Sequence, residues 1–338
     1  MKSTILNSRF KSVKTIVFLV FINFILSSCS DNTLLESPAL VTQHYTEKEI
    51  LKAADISNDG TYSLLSNNQH VCLWDNTKNI KVYECLNGLE GQLIELVGIS
   101  KSNKYFFTSN RVNVHLYQLE TGRLITVWSA GDNIINDIAM SADDSTIILG
   151  FRNGQVSVVG VHDNQIKTYD IHRLDINSVD LSDDGQLAFT GSSDKTAKLW
   201  QTQNGEVKKS FKHSMRVNHV TLSNDAKLAF SLDAIDDRFF WLLPSGQLFS
   251  TLQSSVRFIE FNQSRFSPDK QWLLTGGPRQ KLQLWRLTTG ELAAQWTTFK
   301  PQDKIRSSVL SVRFINPTTV ASVTSDGVYQ TWQTPVFQ

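Results

Sequence analysis

Residues 176–211 read INSVDLSDDGQLAFTGSSDKTAKLWQTQNGEVKKSF, and this stretch decides the fold. Ile176, Val179 and Leu181 make a short apolar strand that ends at the tight turn Asp183-Asp184-Gly185. Leu187 to Thr190 is a second strand, followed by a turn over Gly191 to Lys195. Thr196 to Trp200 is a third, closed by Gln203-Asn204-Gly205, and Val207 to Phe211 is a fourth. Strands of this length between Asp, Asn and Gly turns predict a four-stranded antiparallel meander. Such a sheet has two apolar faces and cannot bury them alone.

The same unit recurs along the chain. The segments ISNDG, ISKSN, MSADD, LSDDG, LSNDA, FSPDK and FINPT place Ser57, Ser100, Ser141, Ser182, Ser223, Ser267 and Ile315 in register, at spacings of 43, 41, 41, 41, 44 and 48. Seventeen or eighteen residues after each come Trp74, Tyr117, Val159, Trp200, Trp241, Trp285 and Trp332. Repeats of this period that are all strand predict a radial array whose sheets pack face to face. The expected fold is all-β: a seven-bladed β-propeller of four-stranded antiparallel blades over residues 44–338. The seventh unit ends after its third strand, so an N-terminal strand, His44 to Leu51, is expected to complete the last blade and remove an open edge.

The units resemble the WD-repeat family. The match is best in the fourth, where His172, Thr190, Asp194 and Trp200 fall on the family's structural tetrad. The resemblance implies that these side chains form one hydrogen-bonded chain, as buried polar atoms require. The other units are degenerate. The Trp-Asp dipeptide survives at Trp74-Asp75, and the seventh unit keeps Asp326 and Trp332 but has Ile305 near the histidine position.

Residues 1–28 are unlike the rest. Lys2, Arg9, Lys11 and Lys14 precede an apolar run from Ile16 to Leu26, with no acidic residue, which is the pattern of an export signal. The run is too short for a spanning helix, which needs about 20 residues. It ends Leu26-Ser27-Ser28-Cys29, which resembles the lipobox of bacterial lipoproteins. The resemblance implies lipid on Cys29 and attachment to a membrane through that anchor only. Ser30 implies the outer membrane with the protein facing the periplasm, and residues 29–43 would be a flexible tether. Formal net charge is +1, and removing residues 1–28 leaves a mildly acidic body. No basic excess supports nucleic-acid binding.

Catalytic and metal signatures are absent from the sequence: no GxSxG, GxxxxGK, HExxH or DxDxDG. No cofactor or metal is expected. The Asp pairs Asp143-Asp144 and Asp183-Asp184 are expected to cap turns. In a regular meander Cys72 and Cys85 would be offset by about two residues, a poor geometry for a disulfide. They are expected to be small buried apolar residues.

One feature suggests a function. The turns between second and third strands carry Arg111, Arg152, Lys195, Arg238 and Arg279, and the long crossover 298–308 adds Lys300, Lys304 and Arg306. In a propeller these turns share a face with the crossovers between blades, so they form a candidate partner-binding face. Solvated turns commonly hold such residues, and Asp132, Asp194, Asp236 and Asp237 lie nearby. The expected function is a monomeric, non-enzymatic, lipid-anchored periplasmic scaffold that binds protein partners of the cell envelope. The alternative is a propeller enzyme or small-molecule binder using the central channel.

Overall fold

A computed structural model describes residues 39–45, 50–88, 93–300 and 306–335. The export signal, Cys29, the tether up to residue 38, Lys304 and Ile305 lie outside the described residues. Among those described there is no helix, and the strands form seven sheets. Each is antiparallel, and six of them are meanders of consecutive strands. In the fourth blade the strands are Ile176–Leu181, Leu187–Ser192, Thr196–Gln201 and Val207–Lys212, in that order from channel to rim.

The repeating marker residues have physical roles. In blades 1, 3, 4, 5 and 6 the register serine donates to the aspartate two residues on, at 2.5–3.0 Å (Ser57, Ser141, Ser182, Ser223 and Ser267). The same hydroxyl accepts the amide that opens the second strand, as Leu187 N–H does on Ser182 at 3.0 Å. This closes the first turn of each blade without help from a neighbour. One acid of each pair caps its turn: Asp143 accepts the amide of Ser145 at 3.0 Å and Asp184 that of Gln186 at 3.1 Å, whereas Asp183 instead bonds Lys101 and Asp144 lies 3.8 Å from Lys104. The later marker sits in the third strand opposite the second residue from the start of the second-strand pairing in every blade, from Ser63↔Trp74 through Ala188↔Trp200 to Val320↔Trp332.

Burial follows from this shared register. Seven apolar clusters fill the seven spaces between neighbouring blades. Phe189, Ala197 and Leu199 of blade 4 meet Val217, Val220 and Leu222 of blade 5 in one such layer. Gly191 allows the approach: a Cβ there would stand 2.6 Å from Val217 and 2.8 Å from Val220.

The ring closes by an N-terminal strand, three residues earlier than expected. Val41–His44 pairs antiparallel with Val328–Gln333, with Val41 opposite Thr331. The blade sheet therefore begins inside the stretch read as tether. Tyr45 and Leu51 lie outside this strand: both are buried, and their amides donate to Gly327 and Ser325 of the last blade.

Cys72 and Cys85 form a disulfide, with Cα atoms 4.4 Å apart, which corrects the sequence expectation. That expectation assumed a continuous fourth strand. Here the strand is broken into Ile80–Lys81 and Leu86–Asn87. Its first part pairs in the register Trp74↔Lys81 and its second in the register Val71↔Leu86. Two extra residues have been absorbed between them, and Cys85 arrives opposite Cys72.

Candidate functional site: the crossover face and the central channel

In blade 4 two of the three links that the resemblance implies for the tetrad are present. His172 Nε2 lies 2.9 Å from Thr190 Oγ1 and His172 Nδ1 lies 3.0 Å from Asp194 Oδ2. Burial opposes ionisation of Asp194, but bonds from His172 and Thr196 outweigh it and hold the carboxyl well below the usual range. Trp200 is wholly buried, yet its Nε1 has no hydrogen-bond partner, so the chain stops at Thr190. In blade 5 that last link is made: Trp241 Nε1 donates to Ser231 Oγ at 2.8 Å, and Ser231 meets His213 Nε2 at 2.8 Å. In blade 6 Trp285 donates to Thr275 at 3.0 Å. Asp326 of blade 7 is buried with neither carboxylate oxygen hydrogen-bonded, in keeping with the lost histidine of that unit.

The family described as "WD domain, G-beta repeat" matches residues 163–201, from the approach to the outer strand of blade 3 through the third strand of blade 4. Residues 163–201 are a WD repeat. The chain is similar to the U3 small nucleolar RNA-associated protein 12 of Saccharomyces cerevisiae, 28% identical over 116 residues, which is 33% of this chain and 12% of that protein. It is also similar to WD repeat-containing protein SL1-17 of Schistosoma mansoni, 22% identical over 157 residues, 45% of this chain and 51% of that one. The chain therefore spans about half or less of the length of these curated relatives. The WD-repeat match and the seven blades agree on a WD-repeat propeller.

In this WD-repeat propeller, each crossover is pinned to the turn it passes. His172 N–H donates to Gly154 O and His213 N–H to Lys195 O, both at 2.9 Å. This ties the crossovers and the second-to-third turns into one face. Arg152, Lys195, Arg279 and Arg306 are exposed there. Arg111 is half-buried and paired with Glu95. Arg238 departs from the expectation: it is buried, and its guanidinium donates to Asp236 and to the carbonyls of Ser254 and Val256 at 2.6–3.2 Å. It holds a crossover in place and offers nothing to a partner. Exposed apolar side chains on the same face escaped the sequence reading. Leu93, Leu174, Met215, Val256, Phe258 and Phe299 all lie on crossovers and are each 36–64% exposed. Several adjoin a cation: Arg173 precedes Leu174, Arg216 follows Met215, and Arg257 separates Val256 from Phe258.

The channel, of about 560 Å³, is lined in two tiers, because alternate residues of each first strand point inward. Asp55, Asp180, Arg265 and Arg313 belong to one tier, and Asp137, Ser178, His219 and Gln263 to the other. Many of these groups tie one blade to the next. Asp137 Oδ2 accepts Val179 N–H at 2.8 Å, Asp180 Oδ2 accepts Leu222 N–H at 2.8 Å, and Asp55 Oδ2 accepts Ile99 N–H at 3.0 Å. At the mouth opposite the crossovers, Lys101 reaches across from blade 2 to Asp183 of blade 4 and lies 3.2 Å from Asn224 of blade 5.

His219 makes the channel sensitive to acid. Burial and the neighbouring Arg265 push its pKa down to about 4, whereas an unfolded histidine titrates near about 6.5. The unfolded chain binds the proton first, so stability is lost as pH falls from 6.5 toward 4. Asp137, pushed up to about 6 by burial, acts in the opposite sense: its contribution is lost as pH rises toward 6. Replacing His219→Gln should flatten the fall in melting temperature below neutral pH, with Asp137 common to both proteins. Parallel curves for the two would refute this assignment.

Proposed function

We propose that this WD-repeat propeller is a non-enzymatic scaffold, anchored through lipid on Cys29 in the bacterial outer membrane and facing the periplasm. Its crossover face binds a protein segment of the envelope that carries both acidic and apolar side chains. The observation that carries this reading is the interleaving of exposed apolar residues with Arg173, Arg216, Arg257, Lys195 and Arg279 on one face. Apolar anchors supply contact area and the cations supply steering and register. The inter-blade bonds made by the channel aspartates favour a structural use of the channel over chemistry. The Cys72–Cys85 disulfide supports an oxidising compartment, as expected for an exported chain.

The test is photo-crosslinking in whole cells. A photoreactive residue placed at Leu174 or at Phe258 should trap the same envelope protein, through an acidic segment. One placed at exposed Asn58, on the opposite face, should not. Charge reversal at Arg152, Lys195 and Arg279 together should weaken capture about tenfold or more. Equal trapping from both faces, or capture indifferent to the triple reversal, would overturn the reading.

A further inference from the structure

Blades 4 and 5 carry the same histidine–hydroxyl–aspartate chain and differ at one corner. In blade 4 His172 Nδ1 lies 3.0 Å from Asp194 Oδ2. In blade 5 His213 Nδ1 stands 4.0 Å from Asp237 Oδ2. His213 is 8% exposed and this nitrogen has no hydrogen-bond partner. The other side of the gap is taken by Asp233, which is wholly buried and ends its strand where blade 4 has Ser192. One ligand atom from each of His213, Asp233 and Asp237 lies within 4.8 Å of the others. Blade 5 therefore has an added carboxylate, a longer turn, and an orphaned imidazole nitrogen facing both acids.

We propose that His213, Asp233 and Asp237 bind a divalent transition-metal ion of the zinc type. One imidazole nitrogen and two carboxylates form a borderline-hard donor set suited to zinc, with a fourth position left for water or another donor. Bonds of about 2.0–2.2 Å draw ligand atoms closer together than they stand here, so the site tightens by less than an ångström at each ligand. The surroundings favour this. Ser231 Oγ lies 2.8 Å from His213 Nε2, which holds the ring with Nδ1 turned toward the two carboxylates. Asp233 Oδ1 takes the amides of Ile235, Asp236 and Asp237, and its Oδ2 takes only that of Met215. Asp237 Oδ2 accepts the amide of Ser214 at 2.6 Å. Arg238, next to Asp237 in the chain, is engaged by Asp236. The side chain of Asp237 is 23% exposed, which gives an ion a way in from solvent.

The experiment is calorimetric titration of ZnCl₂ into the purified full chain after dialysis against EDTA. One equivalent should bind, and zinc should raise the melting temperature. The variants His213→Gln and Asp237→Asn should each weaken binding about a hundredfold, while His162→Gln, an exposed control, should not. X-ray absorption on the zinc-loaded wild type covers the case in which a variant fails to fold: it should show one imidazole and otherwise oxygen ligands. Absence of saturable binding, binding unchanged in both variants, or a spectrum with sulfur or several imidazoles would overturn the proposal.

Discussion

Deleting residues 39–45 is expected to unfold the ring rather than trim it. Val41–His44 supplies the fourth strand of the last blade, and Leu40 and Tyr45 add amide bonds to Thr331 and Gly327 at 2.7 and 2.9 Å. Tyr45 then joins the last blade to the first. Its ring is buried, lies 4.8 Å from that of Trp74, and its hydroxyl meets Ser63 at 3.0 Å as well as Asn76. Losing a buried aromatic costs about 3–5 kcal/mol, and the stranded hydroxyl and backbone partners add to that. The loss is a large part of a typical total stability. The deletion also exposes the edge of Val328–Gln333, a template for pairing with another chain. Urea unfolding and light scattering should show a large drop in midpoint and the onset of aggregation. A deletion variant that melts with the wild type would refute closure by this strand.

The second large effect is expected at Arg313. Its guanidinium lies 3.1 Å from Asp55 Oδ1 and its Nε donates to Ile56 O at 3.0 Å, with both side chains buried. Burial pushes the arginine pKa down to about 10, with Asp55 opposing the shift. Asp55 also receives Ser311 Oγ at 3.2 Å, Gln263 Nε2 at 3.3 Å and Ile99 N–H at 3.0 Å, so four blades meet on one carboxylate. Arg313→Ala leaves that carboxylate buried without its cation, which costs about 3–5 kcal/mol. Replacing the pair by Asp55→Asn with Arg313→Met should recover part of the loss, because the single variant's penalty is mostly the abandoned charge. Exposed Arg306→Ala should stay within about 0.5 kcal/mol of wild type. An Arg313→Ala protein within 1 kcal/mol of wild type would show that the pair does not hold the ring.

The architecture was legible because its signals are local and repeated. Ser182 and Asp184 lie two residues apart and bond to each other, so the turn that begins each blade is written in adjacent letters. Trp200 keeps its distance from Ser182 because the strands between them have fixed lengths. What sequence reading missed arises where the chain departs from the repeat or where distant residues converge. The disulfide depends on extra residues between Ile80 and Cys85, which no spacing rule announces. Arg238 has the position of a turn cation but folds inward, because the longer turn from Ala234 to Asp237 and the crossover carbonyls of Ser254 and Val256 surround it. The channel tiers draw one residue from each blade, so Asp55 and Arg313 read as ordinary strand positions until the ring closes. The exposed apolar residues of the crossovers are single letters in segments without a period.

The closing strand also sets an order of events. Thr42 and Gln330 are bonded at a sequence separation of 288, so almost the whole chain is one loop. A polypeptide emerging N-terminus first must carry Val41–His44 unpaired while six complete blades are made, and only the arrival of Val328–Gln333 gives that segment its partner. Contacts this distant form slowly, and until then the nascent protein presents free strand edges at both ends. Val328–Gln333 is thus the segment whose synthesis completes the fold.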